Sequence, residues 1–102
     1  MQNNRILSLL SLSMKAGKIK SGEFATTEAV KGYKASLVIV AVDASDNTKK
    51  EFRNMCSFYE VPYYEYATKE ELGRAIGKEM RSSIAVLDEG LAKSVMTNLE
   101  NE

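Results

Sequence analysis

The sequence predicts an α/β fold, a small mixed sheet between two helical layers, and three observations lead there. Helical and extended segments alternate as helix, short strand, helix, strand, helix, strand, helix, strand, helix. The run LVIVAV, Leu37 to Val42, is rich in β-branched residues and does not alternate with polar ones, the mark of a strand covered on both faces. Capping residues stand at the expected places, Asn, Ser, Thr or Asp before helical periods and Gly after them.

Each element has its own justification. Ile6, Leu9, Leu10 and Met14 form one helical stripe, with Asn3 or Asn4 as cap and Gly17 just past the end. Lys18 to Lys20 is a short extended piece, too polar for the centre of a sheet. Ser21 is placed to cap the second helix, whose first turn holds Glu23 near the positive dipole end and which Gly32 closes. After LVIVAV, Ser45 or Asp46 caps a third helix with Phe52, Met55, Cys56 and Tyr59 on its core face. Pro62 resets the chain into the strand VPYYEY. Thr68 and Glu71 form a capping box for a short helix with Leu72, Ala75 and Ile76 inward and Gly77 at its end. SIAVL, Ser83 to Leu87, is another clear strand, and Asp88 caps a last helix with Leu91, Val95 and Leu99 on one side. The final NLENE is expected to fray.

Composition narrows the function classes. A chain of 102 residues is expected to form a single domain, and 44% apolar with 27% charged residues is too apolar for a disordered protein. LVIVAV is far shorter than the roughly 20 apolar residues of a membrane helix. The N-terminal stretch lacks a basic start followed by a small-residue cleavage site, so it reads as a helix of the mature fold in a cytoplasmic protein. There is no histidine and only one cysteine, which removes Cys/His zinc sites, Ser-His-Asp or Cys-His catalysis and an internal disulfide. Cys56 lies on an apolar face and reads as a small buried hydrophobe. The net charge is zero but unevenly placed: residues 1–34 carry six cations against two carboxylates, and the remainder compensates with a net −4.

The positive end contains KIKSG, Lys18 to Gly22. A helix N-terminus offers unpaired N–H groups and partial positive charge to a phosphate, glycine there admits a close approach, and Lys18, Lys20, Lys31 and Lys34 flank the same helix. The plainer reading is an edge strand blunted by lysines and followed by an ordinary cap. The loop KEMRSS, Lys78 to Ser83, has two cations, a methionine and two hydroxyls, and suits either nucleic-acid shape reading or a simple connection. Asp43 and Asp88 each follow a strand, where open sheets bind ligands, and Asp46 could join them at a magnesium site; both also suit helix caps.

The order SGEFATTEAVKGYKASLVIVAVDAS, VPYYEY, LGRAIGKE, SSIAVLDEG resembles the kink-turn RNA-binding ribosomal-protein family, in particular its small bacterial YlxQ-like branch, from about Leu9 to Val95. The resemblance implies a three-layer α/β/α sandwich with a mixed four-stranded sheet and non-catalytic RNA binding without cofactors. It also implies a site at the start of the second helix, supported by the loop before the last strand. The family signature there is Gly-x-Asn-Glu-x-x-Lys. Gly22 fills the glycine position; Phe24, Ala25 and Glu28 stand where the family has Asn, Glu and Lys. Phe24 reads either as a core residue of that helix or as an exposed ring able to stack on a splayed base.

The resulting expectation is a protein of the translation apparatus that binds structured RNA, ribosomal or another kink-turn RNA. The site would comprise Lys18, Lys20, Ser21, Gly22, Glu23, Phe24, Ala25, Glu28 and Lys31, closed by Arg81, Ser82 and Ser83. Ribosomal or translation proteins are further expected partners; DNA and membranes are not. The alternative is a protein-interaction module that keeps the fold and has lost RNA recognition.

Overall fold

A computed structural model describes residues 4–102. Five helices, α1 (Arg5–Lys15), α2 (Glu23–Lys31), α3 (Asp46–Tyr59), α4 (Lys69–Ala75) and α5 (Glu89–Glu100), alternate with four strands, β1 (Ile19–Ser21), β2 (Leu37–Val40), β3 (Tyr63–Glu65) and β4 (Ser83–Val86). Strand order is β1-β4-β2-β3. β4 runs antiparallel to both β1 and β2, whereas β2 and β3 are parallel, so the sheet is mixed. α2 packs with α3 over one face, and α1 packs with α4 and α5 over the other, giving the α/β/α sandwich.

The two central strands are apolar on both faces because both faces are covered. Leu37 to Val40 and Ile84 to Val86 have no exposed surface, and the layers close on them with Ile6, Leu10 and Leu72 on one side and Val30, Phe52 and Cys56 on the other. Phe52 alone, wholly buried, contributes about 2–3 kcal/mol by removal from water. Both outer strands are short and polar, which leaves little edge for another chain to pair with.

The caps explain the boundaries. Asn4 accepts from the Leu7 N–H, Ser45 from Thr48 and Asp88 from Leu91, while Thr68 and Glu71 form both halves of a capping box. Asn3, the other candidate for the first cap, lies outside the described residues.

Three expectations need correction. The central strand ends at Val40, not Val42. The Ala41 N–H donates to the Ser82 carbonyl and the Val42 N–H to that of Ala67, and the Val42 side chain turns outward. The segment expected to fray continues α5 to Glu100, whose carboxylate accepts from the Tyr64 hydroxyl at 2.8 Å. Asp43 and Asp88 cannot share a metal. They follow neighbouring strands that run antiparallel, so they sit at opposite ends of the sheet. Asp43 accepts from the Lys69 N–H at 2.8 Å and Asp88 caps α5. Among the described residues no helix is long and apolar enough to cross a membrane.

Candidate nucleic-acid interface

The start of α2 is fixed by backbone conformation before any side chain is considered. Gly22 is the N-cap, with φ 90° and ψ 161°, a region open essentially to glycine alone. A Cβ there would meet nothing within 4 Å, so the conformation requires glycine, not crowding by a neighbour. Its N–H donates to the Ser83 carbonyl at 3.0 Å, and its carbonyl accepts the first helical bond from Thr26 at 3.0 Å. No side chain caps this helix. The N–H groups of Glu23, Phe24 and Ala25 therefore face outward from a positive dipole end.

Ser21 does not cap α2, contrary to expectation. It is the last residue of β1, and its hydroxyl accepts from the Arg81 Nε at 3.1 Å. The same guanidinium donates through Nη1 to the Met80 carbonyl at 3.0 Å. Two of five donors are thus used inside the protein, and the rest of this half-buried fork remains for a ligand.

The loop carrying Arg81 is strapped to α4. The Lys78 N–H donates to the Gly73 carbonyl at 2.8 Å, and the Arg81 N–H to that of Lys69 at 3.0 Å. The loop crosses Gly73 so closely that a Cβ would lie 1.8 Å from the Glu79 carbonyl oxygen. This contact gives the glycine of LGRAIGKE its role, one that spacing alone does not reveal. Thr48, in the first turn of α3, completes the groove between the α2 start and the loop, and sequence reasoning missed it. Only the topology brings it there.

The expected site residues fall into two groups. Ser21, Gly22, Glu23, Arg81, Ser82 and Ser83 line this first groove. Ser83 does so without offering its side chain: it is wholly buried, and its hydroxyl donates to that of Thr26 at 3.3 Å. Its part is to hold α2 in place, which corrects the expected hydroxyl contact with a ligand. Lys20, Phe24, Ala25 and Glu28 line a second groove on the other flank of α2. Antiparallel partners point to the same face, so Lys20, opposite Ala85, shares with Ser83 the face that α2 covers.

Phe24 is 79% exposed, which rejects the core reading; the buried positions of α2 are Thr26, Ala29 and Val30. Lys18 and Lys31 are exposed but line neither groove. Lys18 lies at the far end of β1, its carbonyl accepting from Leu87, and Lys31 is in the last turn of α2.

Residues 4–96 match the ribosomal protein L7Ae/L30e/S12e/Gadd45 family. Two curated relatives carry the name RNA-binding protein YlxQ. The one from Bacillus subtilis (strain 168) is 39% identical over 92 residues, 90% of this chain and 92% of the relative. The one from Enterococcus faecium is 38% identical over 96 residues, 94% and 92% of the two chains. A solved structure from Bacillus halodurans, of a protein described as having unknown function, superposes with TM-score 0.93 at 34% identity over 96% of this chain and 99% of the other. The Giardia lamblia 15.5kD RNA binding protein shares the fold, with TM-score 0.80 at 24% identity over 99% and 92% of the two chains.

Proposed function

The chain belongs to the ribosomal protein L7Ae/L30e/S12e/Gadd45 family, and from that premise we propose that residues 1–102 act as one non-catalytic domain that binds structured, sharply bent RNA in the cytoplasm, in association with the ribosome or translation. The observation that carries this reading is the uncapped start of α2 at Gly22, with Arg81 of the opposite loop in the groove beside it and the exposed Lys20 of β1 on the other flank of the helix. The relatives named RNA-binding protein YlxQ support it.

The chemistry divides between position and charge. The N–H groups of Glu23, Phe24 and Ala25 and the free donors of Arg81 hold phosphate oxygens in one register. Lys18, Lys20 and Lys31 add affinity by neutralising further phosphates. Phe24, exposed where the family has asparagine, supplies a stacking face in place of a base-edge hydrogen bond.

The test is a fluorescence-anisotropy titration with a kink-turn RNA and a straight duplex of equal length at two salt concentrations. The expected result is preference for the bent RNA, with log affinity falling by about 0.7–0.9 per log salt for each phosphate contact. A protein-interaction module on the same fold is favoured by the missing Asn-Glu-Lys side chains and the zero net charge. It predicts binding to neither RNA, and that outcome would replace the RNA reading.

A further inference from the structure

The second groove of α2 has chemistry that a phosphate clamp does not need. It encloses about 380 Å³, room for a nucleoside, between α2 and the edge of the sheet. Ala25, Ala29 and Leu87 make its floor apolar. Phe24 stands at the mouth nearest Gly22, and Glu28 follows one turn later on the same side of the helix. Lys20 and Lys34 rise at the rim.

A single exposed aromatic residue is ordinary. This one is distinguished by its neighbours. The ion pairs among the described residues are Lys49–Glu65, Arg53–Glu65 and Arg74–Glu70, so Glu28, Lys20 and Lys34 are all left for a ligand. A ring face beside cations fits a base with its phosphate. The carboxylate then selects the base, because an ionised carboxylate only accepts. Guanine presents two adjacent donors, N1–H and the 2-amino group, which two carboxylate oxygens take together. Adenine and cytosine set an acceptor nitrogen beside their one amino group, and uracil flanks its single N–H with two carbonyls; each brings a lone pair against Glu28.

We infer that the Phe24–Glu28 groove holds an unpaired guanosine of the bound RNA, a reading that rests on the RNA binding proposed above and adds its base specificity. The base stacks on Phe24, its Watson–Crick edge meets Glu28, and Lys20 or Lys34 meets the adjoining phosphate. Glu28 is then a reader of sequence, which gives a role to a carboxylate facing Lys20 and Lys34 across the groove without an ion-pair partner among the described residues.

The experiment uses the full chain and one kink-turn RNA carrying a single unpaired nucleotide at the bend, made as guanosine, inosine, adenosine, cytidine or uridine. Guanosine should bind tightest, roughly 5- to 150-fold above adenosine, cytidine and uridine. Inosine, which keeps N1–H and lacks the amino group, should fall between. Phe24→Ala should weaken all five by a similar factor. Glu28→Gln exchanges an acceptor pair for one donor and one acceptor, which fits the N1–H and O6 of guanine as well as the N1 and 6-amino group of adenine, and should bring guanosine and adenosine to within a few-fold of each other. Loss of the preference alone cannot come from a damaged fold, which lowers every affinity together. Equal affinity of the wild type for the five RNAs, or an undiminished guanosine preference in Glu28→Gln, overturns this inference. If the wild type still prefers bent to straight RNA, the broader function survives it; if it binds no RNA, both fall.

Discussion

The hydroxyl of Ser83 donates to the hydroxyl of Thr26 at 3.3 Å with both side chains wholly excluded from water. This pair joins the first residue of β4 to the first turn of α2, and so sets where the helix start stands relative to the loop of Arg81. Thr26→Val keeps the volume and leaves the Ser83 hydroxyl unpaired, an expected cost of about 1–3 kcal/mol. Adding Ser83→Ala removes the orphan, so the double variant should be less destabilised than the two single costs summed. Urea unfolding of the four proteins measures the coupling.

Gly73→Ala places a methyl where the Glu79 carbonyl now lies, 1.8 Å from it. The loop must move, at about 1–3 kcal/mol or more. Because that loop also holds Arg81 against Ser21, RNA affinity should fall along with the melting temperature. A variant that loses stability and keeps full affinity would separate the loop from the site.

Lys18→Glu with Lys20→Glu changes two exposed positions, one just before the polar edge strand and one within it, and should leave the free energy of unfolding within about half a kcal/mol of wild type. Binding to bent RNA should be lost at moderate salt, and the salt dependence of whatever binding is left should flatten by roughly two phosphate contacts. Retained affinity with an unaltered slope would take this strand out of the interface.

Glu65 accepts from the Tyr63 hydroxyl at 2.8 Å, with Arg53 at 3.3 Å and Lys49 at 4.0 Å. The Tyr63 hydrogen bond, the largest influence, holds its carboxyl below the ordinary range; burial opposes it, and the Arg53 and Lys49 cations add to the lowering. A lowered folded value means stability that is present at neutral pH and is lost as acid carries the pH through it, below about 4.3. Glu65→Gln should therefore show a shallower loss of stability between about pH 5 and 3, by well under 1 kcal/mol because the pair is open to solvent. Burial and the same carboxylate push Tyr63 upward, so its share is held below about pH 10 and is lost on going more alkaline. Urea midpoints across both ranges test the two signs.

Burial pushes the Cys56 thiol up to about 11. With 1% of its surface exposed, it should react with an aromatic disulfide at pH 8 on the order of 100-fold more slowly than in urea. Equal rates would mean that α3 opens readily.

Local chemistry made much of the fold legible. Thr68 and Glu71 announce their helix because a capping box is closed within four residues, and LVIVAV announces a covered strand by lacking alternation. Ser21 was misread because the residue that claims its hydroxyl, Arg81, is distant in sequence and only the β1–β4 pairing brings it near. Phe24 could not be oriented in advance for a different reason. α2 buries Thr26 with only Ala29 and Val30 beside it, so no apolar stripe tells which way the helix faces. The first groove was therefore legible in its glycine and loop, while the second depended on how α2 is rotated. Thr48 gave no signal beyond lying near a cap.

The last strand to be synthesised is inserted between β1 and β2, and it supplies both the carbonyl that receives Gly22 and the hydroxyl that holds Thr26. A nascent chain that has not yet released Ser83 to Val86 has a split sheet and no fixed helix start, however completely its first forty residues have emerged. RNA-binding competence then arrives late and all at once, on closure of the most sequence-distant pairings. A chain stalled before Ser83 should be open to protease throughout α2, and one released just beyond α5 should be resistant there.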